Sequence, residues 1–348
     1  MKAKIKTRKN MLYFVVFGSI IGQTGTPIRI RRWIQAGKRN KFSLKVLTYD
    51  SFKEFEIINY LKNNLRDGDT IFTVNHIGVY KLRKILNKSK VKIVVDIHGL
   101  QSVEMQKISL IKFKFLLMEI LTNFYMLSNR IIVVSVSNSI LKRNLLNTKS
   151  TGLFVVPGGL RKVPKIKVSR IKLNTGYKYI SYIGNDRSYQ GYKYLESVIT
   201  DSNIYKQNRV ALISLIHGEL TIQKNLDLPK TYKVNSRIVD WLMIRSDILV
   251  VPRLESTISK YSFPSKIFDY ISSGTPIVVS SAVEDLPVDL EQIIFRFNIN
   301  DQLDLLTQIT KTLSNSKSLK TKNLSLIQSL YKEYNWDKLL ANILGRKV

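Results

Sequence analysis

The stretch Ser262–Ser281, SFPSKIFDYISSGTPIVVSS, reads as a short bounded helix that runs into a buried strand. Ser262 suits the N-cap, Pro264 the opening turn and Gly274 the stop, and Pro276 prevents the helix from continuing. Ile267 and Ile271 stand four apart and can face a core, while Lys266 and Asp269 stand three apart on another face. A first-turn lysine adds its charge to the free amides and positive dipole end of the helix, which makes an anion site suited to a diphosphate. A carboxylate one turn later can accept two hydroxyl hydrogen bonds, as a ribose offers. The alternative is an ordinary surface ion pair, and the helix alone does not decide between them.

Working outward, SDILVVP precedes this helix and PIVVSS follows it. Further upstream come YKYISYIG, a helix from about Tyr192, RVALISLIHG and a helix near Arg237–Arg245. The amino-terminal half repeats the alternation, with apolar runs LYFVVF, LKVLTY, TIFTV, KIVVDI, RIIVVSV and LFVVP separated by helix-like segments. Continuous apolar runs of this length suit parallel strands covered on both faces. The chain is therefore expected to be α/β, with two Rossmann-like doubly wound domains and a ligand cleft at the carboxyl ends of both sheets. The expected boundaries are 1–165 for the first domain, joined by a carboxyl-terminal helix at about 334–348, and 166–333 for the second. The tail from Asp301 reads as helical throughout, and the basic segment Arg161–Gly176 reads as the linker.

The chain has 348 residues and no cysteine, which excludes disulfides, thiolate metal sites and a cysteine nucleophile. His76, His98 and His217 lack metal-ligand spacing, so no protein-built metal site is expected; no cofactor is expected either. The net charge is +31, and residues 1–160 carry 28 lysines and arginines against 8 carboxylates. An anionic partner follows. Zinc-ligand spacing, an RNP-like aromatic motif and a basic zipper are all missing, so nucleic acid is not expected and an anionic membrane surface fits better. The opening MKAKIKTRKNMLYFVVFGSII imitates a signal peptide, but GQTGTPIRIRR follows without a cleavage site, so Met11–Phe17 reads as a first buried strand. Lys107–Asn129 is apolar on more than one face and can either lie on a bilayer or pack as a core helix.

Three loops carry further candidate residues. Ile20–Arg32 follows the first strand and offers Gly22 and Gly25 for close backbone approach, with Arg29 and Arg32 as acceptor-side cations. It is neither G-x-G-x-x-G nor a P-loop, which disfavours nicotinamide and ATP. His98, at the end of KIVVDI, can hydrogen-bond a substrate hydroxyl, and Glu104 follows it on the acceptor side. YISYIGNDRSYQGYKYLESVI ends a strand at Gly184 and presents Arg187 and Lys193 as phosphate contacts.

With these residues in order, the chain resembles the GT-B-fold glycosyltransferases, in particular glycosyltransferase family 4. IVVDIHG looks like the family's strand-His segment, IIVVSVSNS and FVVPGG like two later stations, and PSKIFDYISSGTPIVVSS like its nucleotide-sugar signature. YNWDKLL looks like the terminal helix that returns to the first domain. The resemblance implies transfer of a sugar, with retention, from a nucleoside-diphosphate-sugar donor to a saccharide or lipid-linked acceptor in cell-envelope polysaccharide synthesis. It places the protein in the cytoplasm, peripheral on the inner face of the membrane. Lys266 and Arg187 would hold the diphosphate, with Ser265 and Gly184 beside it, Asp269 the ribose, and His98 the donor sugar. Asp269 stands where the family usually has Glu, Tyr261 where a longer form of the motif has its first carboxylate, and Gln190 and Asn185 where basic residues are usual. A catalytically silent GT-B scaffold binding anionic glycan or nucleic acid, and a sugar-nucleotide epimerase, are the rival readings.

Overall fold

The computed structural model describes residues 10–345 apart from 23–24, 87–89, 105–109, 127–130, 144–151, 165–167, 169–170, 172, 175, 203–208, 225–229 and 234–236. The chain divides into two compact units, one running to Gly158 and completed by Trp336–Val348, the other spanning Gly159–Asn335. The division falls a few residues earlier than residue 165. Leu160 bonds the Tyr334 carbonyl through its N–H at 2.8 Å, and Arg161 pairs with Asp240 and Asp269, so both belong to the second unit.

The first unit alternates β1 (Met11–Val16), α1 (Gly25–Arg39), β2 (Ser43–Thr48), α2 (Glu54–Asn64), β3 (Thr70–Val74) and α3 (Asn75–Leu86). It continues with β4 (Lys92–Ile97), α4 (Gln101–Glu104), α5 (Leu110–Met126), β5 (Ile131–Ser135), α6 (Asn138–Arg143) and β6 (Gly152–Val155). The strands form one parallel sheet in the order β2-β1-β3-β4-β5-β6. Strand order reverses at β1 and β3, where Phe14 pairs with Phe72 in register, their rings 5.0 Å apart. Such a reversal opens a crevice at the carboxyl ends of the two strands.

The second unit holds β7 (Lys178–Gly184), a 3-10 turn at Ser188–Gln190, α7 (Tyr192–Asp201), β8 (Val210–Ile216), β9 (Glu219–Lys224), β10 (Lys230–Lys233) and α8 (Arg237–Arg245). Then follow β11 (Ile248–Val251), α9 (Thr257–Lys260), α10 (Lys266–Ser273), β12 (Ile277–Ser280), α11 (Val288–Glu291), β13 (Ile294–Phe297), α12 (Gln302–Ser314) and α13 (Ser316–Tyr334). Its sheet runs β10-β9-β8-β7-β11-β12-β13, parallel except where β9 pairs antiparallel with β8 and β10. Both faces are covered: Leu249 and Val251 pack with Ile267 and Ile271 of α10, and Ile248 and Val250 pack with Leu195 and Ile199 of α7. This two-sided burial explains the unbroken apolar runs in the sequence. Here the order reverses between β7 and β11.

A last helix, α14 (Trp336–Leu344), belongs to the first unit. Trp336 meets Trp33 of α1 edge-on at 4.6 Å, and Arg39 grips Asp337 in a fork at 2.7–2.9 Å. Among the described residues, no helix is long and apolar enough to cross a membrane.

Candidate functional site

The reversal between β7 and β11 gathers most of the second-unit candidates. β7 ends at Gly184, and β11 ends at Val251 and continues into Pro252 and Arg253. Lys266, the first residue of α10, sends its ammonium between them. A Cβ at Gly184 would lie 2.8 Å from Lys266 Nζ and 2.6 Å from Tyr182 Oη, so glycine is what leaves room for the lysine. The ammonium sits 4.2 Å from the centre of the Tyr182 ring. The residue as a whole is only half-buried, but Nζ itself is shielded from solvent and has no hydrogen-bond partner among the described residues. Burial first, and the charge of Arg253 second, pull it from the ordinary lysine value down to about 7.

Arg253 is the residue that sequence reasoning missed. It is buried, donates to Ser259 Oγ at 3.1 Å and to Ser262 Oγ, and lies 5.4 Å from the Tyr189 ring. Only its place just past a strand's carboxyl end could have marked it. Two buried cations side by side repel each other, and an anion between them relieves both.

Ser262 is not the N-cap of α10. Its hydroxyl is taken by Arg253 and by the Ile258 carbonyl, and the cap position falls to Ser265, which makes no side-chain cap bond. The α10 amides therefore start beside Lys266 without a serine hydroxyl upon them. Gly274 closes the helix with φ 75°, as its place in the sequence requires. Arg187 is exposed on the loop after β7, its N–H donating to Asn185 Oδ1 at 3.2 Å, and Lys193 is exposed further along. Asp269 makes no surface pair with Lys266. It accepts from Arg161 Nε at 2.6 Å, and Arg161 is also forked onto Asp240. Burial opposes the Arg161 charge, but the bonds and charges of the two carboxylates outweigh it and hold the guanidinium above its usual range. Asp269 thus anchors the segment that enters the second unit.

In the first unit, His98 follows the carboxyl end of β4. Its backbone N–H donates to Asn75 Oδ1 at 2.9 Å, and Asn75 turns there with φ 54°. Nε2 lies 2.7 Å from Asp96 Oδ2, while Nδ1 is buried with no hydrogen-bond partner among the described residues. Asp96 is fully buried and also accepts from Arg29 Nε and Nη2, both at 2.9 Å, and from Trp33 Nε1 at 2.6 Å. Burial raises the Asp96 carboxyl, but the charges and hydrogen bonds of Arg29 and His98 more than offset it and hold it well below the usual carboxylate range. This fixes the ring by its Nε2 edge and presents Nδ1.

Arg29 is thereby removed from the acceptor-side candidates. It is buried, its third contact is the Pro157 carbonyl at 3.3 Å, and its charge is spent on Asp96. Arg32 stacks its guanidinium 5.8 Å from the Trp336 ring. Gly22 and Gly25 are exposed, and the Gly22 carbonyl accepts from Arg31 Nη1 at 2.8 Å. The side chain of Glu104 lies outside the described residues.

No family model matches the chain, and no curated protein matches it. Solved structures do. Sucrose-phosphate synthase from Thermosynechococcus elongatus is 14% identical, over 97% of this chain and 98% of that one, with a TM-score of 0.66. α,α-Trehalose 6-phosphate synthase from Burkholderia multivorans is 11% identical over 97% of each chain, with a TM-score of 0.61. Anabaena HepE, solved in complex with UDP, is 10% identical over 97% of this chain and 99% of its own, with a TM-score of 0.58. These are GT-B glycosyltransferases, and this chain has their fold.

Proposed function

We propose that the protein is a glycosyltransferase that takes a sugar from a nucleoside-diphosphate donor and passes it, with retention, to a saccharide or lipid-linked acceptor. The observation that carries this reading is the buried ammonium of Lys266 at the strand-order reversal, with no hydrogen-bond partner among the described residues and Arg253 beside it. A diphosphate is the anion that such a pair suits. As the sugar leaves, negative charge grows on the departing phosphate, and cations already in place stabilise it without reorganising. Arg187, exposed on the adjoining loop, can fold onto the same phosphates. His98 Nδ1 is the candidate for a hydrogen bond to a sugar hydroxyl. Asp269 reaches a ribose only if it shares its carboxylate with Arg161.

The order of motifs, which resembles family 4, and the UDP bound to HepE support the donor side of the proposal. The excess of cations in residues 1–160 supports an acceptor held at an anionic membrane; the cytoplasmic face and envelope polysaccharide synthesis are what the resemblance to family 4 implies. Isothermal titration of the full chain with UDP-, GDP- and ADP-sugars tests the reading. Binding to one nucleotide class is expected, and no binding to any of them by folded protein would sink it. Release of free nucleoside diphosphate on adding acceptor separates a working enzyme from a silent scaffold.

A further inference from the structure

Helix α5 has the opposite amphipathicity to that of a helix packed on a protein in water. Apart from Met126 at its end, its fully buried side chains are polar. Glu119 is buried and accepts from the Ser102 N–H at 3.0 Å and from the Ser102 hydroxyl; buried Thr122 donates to the Met118 carbonyl at 2.8 Å. Asn123 Oδ1 lies 3.1 Å from Nε2 of buried His76 on α3. The outward side chains are apolar and large. Leu110 is 82% exposed, Phe113 63% and Phe124 71%, with Leu117, Ile120 and Leu121 exposed between them. The exposed face carries Lys114 and no carboxylate, since the helix's one acid is turned inward. A core helix would reverse this pattern, and continuous apolar surface of several hundred Å² marks a docking face.

We propose that this face of α5 docks the protein on an anionic lipid bilayer, with the helix lying in the interface plane and Phe113, Leu117 and Phe124 entering the acyl boundary. Charge selects the occupant. The sequence to residue 160 holds 28 cationic side chains against 8 acidic ones, so a second copy would bring like charges together, whereas an anionic bilayer is complementary. Length agrees: 17 residues rise about 25 Å, enough to lie along a membrane, and no described helix is long and apolar enough to cross one. The inward polar bonds tie the helix to the unit, so the apolar side chains enter the lipid as a fixed set. The proposal deepens the membrane component of the function above but does not require sugar transfer.

The test is flotation of the full chain with vesicles of phosphatidylcholine, alone or mixed two to one with phosphatidylglycerol. The wild type is expected to float with the mixed vesicles, and Phe113→Ser/Leu117→Ser/Phe124→Ser to lose at least about ten-fold in partitioning. Phe124→Trp supplies an independent readout. Trp33, Trp241 and Trp336 are all buried, so a new exposed indole dominates the red edge of the emission and must shift to the blue on mixed vesicles. The proposal is overturned if the wild type stays with the protein fraction, if the triple variant floats equally, or if Phe124→Trp does not shift. A dimer in solution that the triple variant dissolves would assign the face to a second copy instead. A chain that floats but binds no sugar nucleotide sinks only the transferase reading.

Discussion

The burial of the Lys266 ammonium beside Arg253 predicts a pH-dependent signature. Its folded value of about 7 lies below the ordinary 10.5, so between those two pH values the unfolded chain holds a proton that the folded chain does not. Folding is therefore penalised most below pH 7, and the penalty fades as pH rises towards 10.5. Replacing Lys266 by Met should stabilise the protein by on the order of a few kcal/mol at pH 6, with the gain vanishing near pH 10, as read by urea denaturation of both forms. Ligand binding runs the other way. A bound diphosphate restores the charge, so nucleotide affinity should fall as pH rises from 6 to 9 in the wild type and stay flat in Lys266→Met. Parallel curves would remove Lys266 from the site. At neutral pH, Lys266→Ala should weaken nucleotide binding about ten- to hundred-fold and Lys193→Ala hardly at all, because only Lys266 is desolvated. Gly191 is a second residue whose role is fixed by geometry. It turns with φ 74°, and a Cβ there would stand 1.7 Å from the Pro252 carbonyl oxygen, next to Arg253. Gly191→Ala should cost about 1–3 kcal/mol or more in denaturant titration and weaken nucleotide binding by moving Arg253.

At the scale of elements, legibility followed burial. Thr70–Val74 and Lys92–Ile97 lie inside their sheet with both faces covered, so they read as unbroken apolar runs with the right ends. The hairpin β9–β10 was not legible. ELTIQK and KTYK sit at the sheet edge, where one face is wet and lysine and threonine dilute the pattern. β13 was hidden by Arg296, whose guanidinium pairs with Glu291 across a short turn. At the site, the positions of Gly184, Lys266 and His98 could be read because each follows or opens an element. Their partners could not. Asp96 sits 67 residues from Arg29 along the chain, and Asp269 108 from Arg161, and no local pattern links such pairs. The terminal helix illustrates both sides. YNWDKLL marks its start, yet only the fold shows Trp336 against Trp33 and within 5.5 Å of Arg29, the residue that braces Asp96 and so His98. Trp336→Ala should cost about 3–5 kcal/mol, and Asp96→Asn, which strands the Arg29 charge, a similar amount. Because Asp96 also holds the His98 ring, Asp96→Asn should additionally lower kcat more than it raises KM, and equal effects on both would limit Asp96 to a structural part.

At the scale of the whole molecule, two units with separate cores predict two unfolding events. The first-unit core is built on Phe14, Trp33, Phe72 and Trp336, and the second on Ile267, Ile271, Val279 and their neighbours, with no residue common to both. Each unit is large enough to fold on its own core. Calorimetry should therefore give a calorimetric enthalpy well above the van't Hoff value. The two transitions can be assigned by perturbing each unit separately. Trp336→Ala should lower one of them by several degrees, and a bound nucleoside diphosphate should raise the other, by an amount that grows with ligand concentration as mass action requires. If nucleotide and Trp336→Ala move the same transition, the phosphate site does not lie in the second unit alone, and the assignment of Lys266 and Arg253 as its floor fails. If each moves its own, nucleotide binds the second unit, as the proposed role of Lys266 and Arg253 requires.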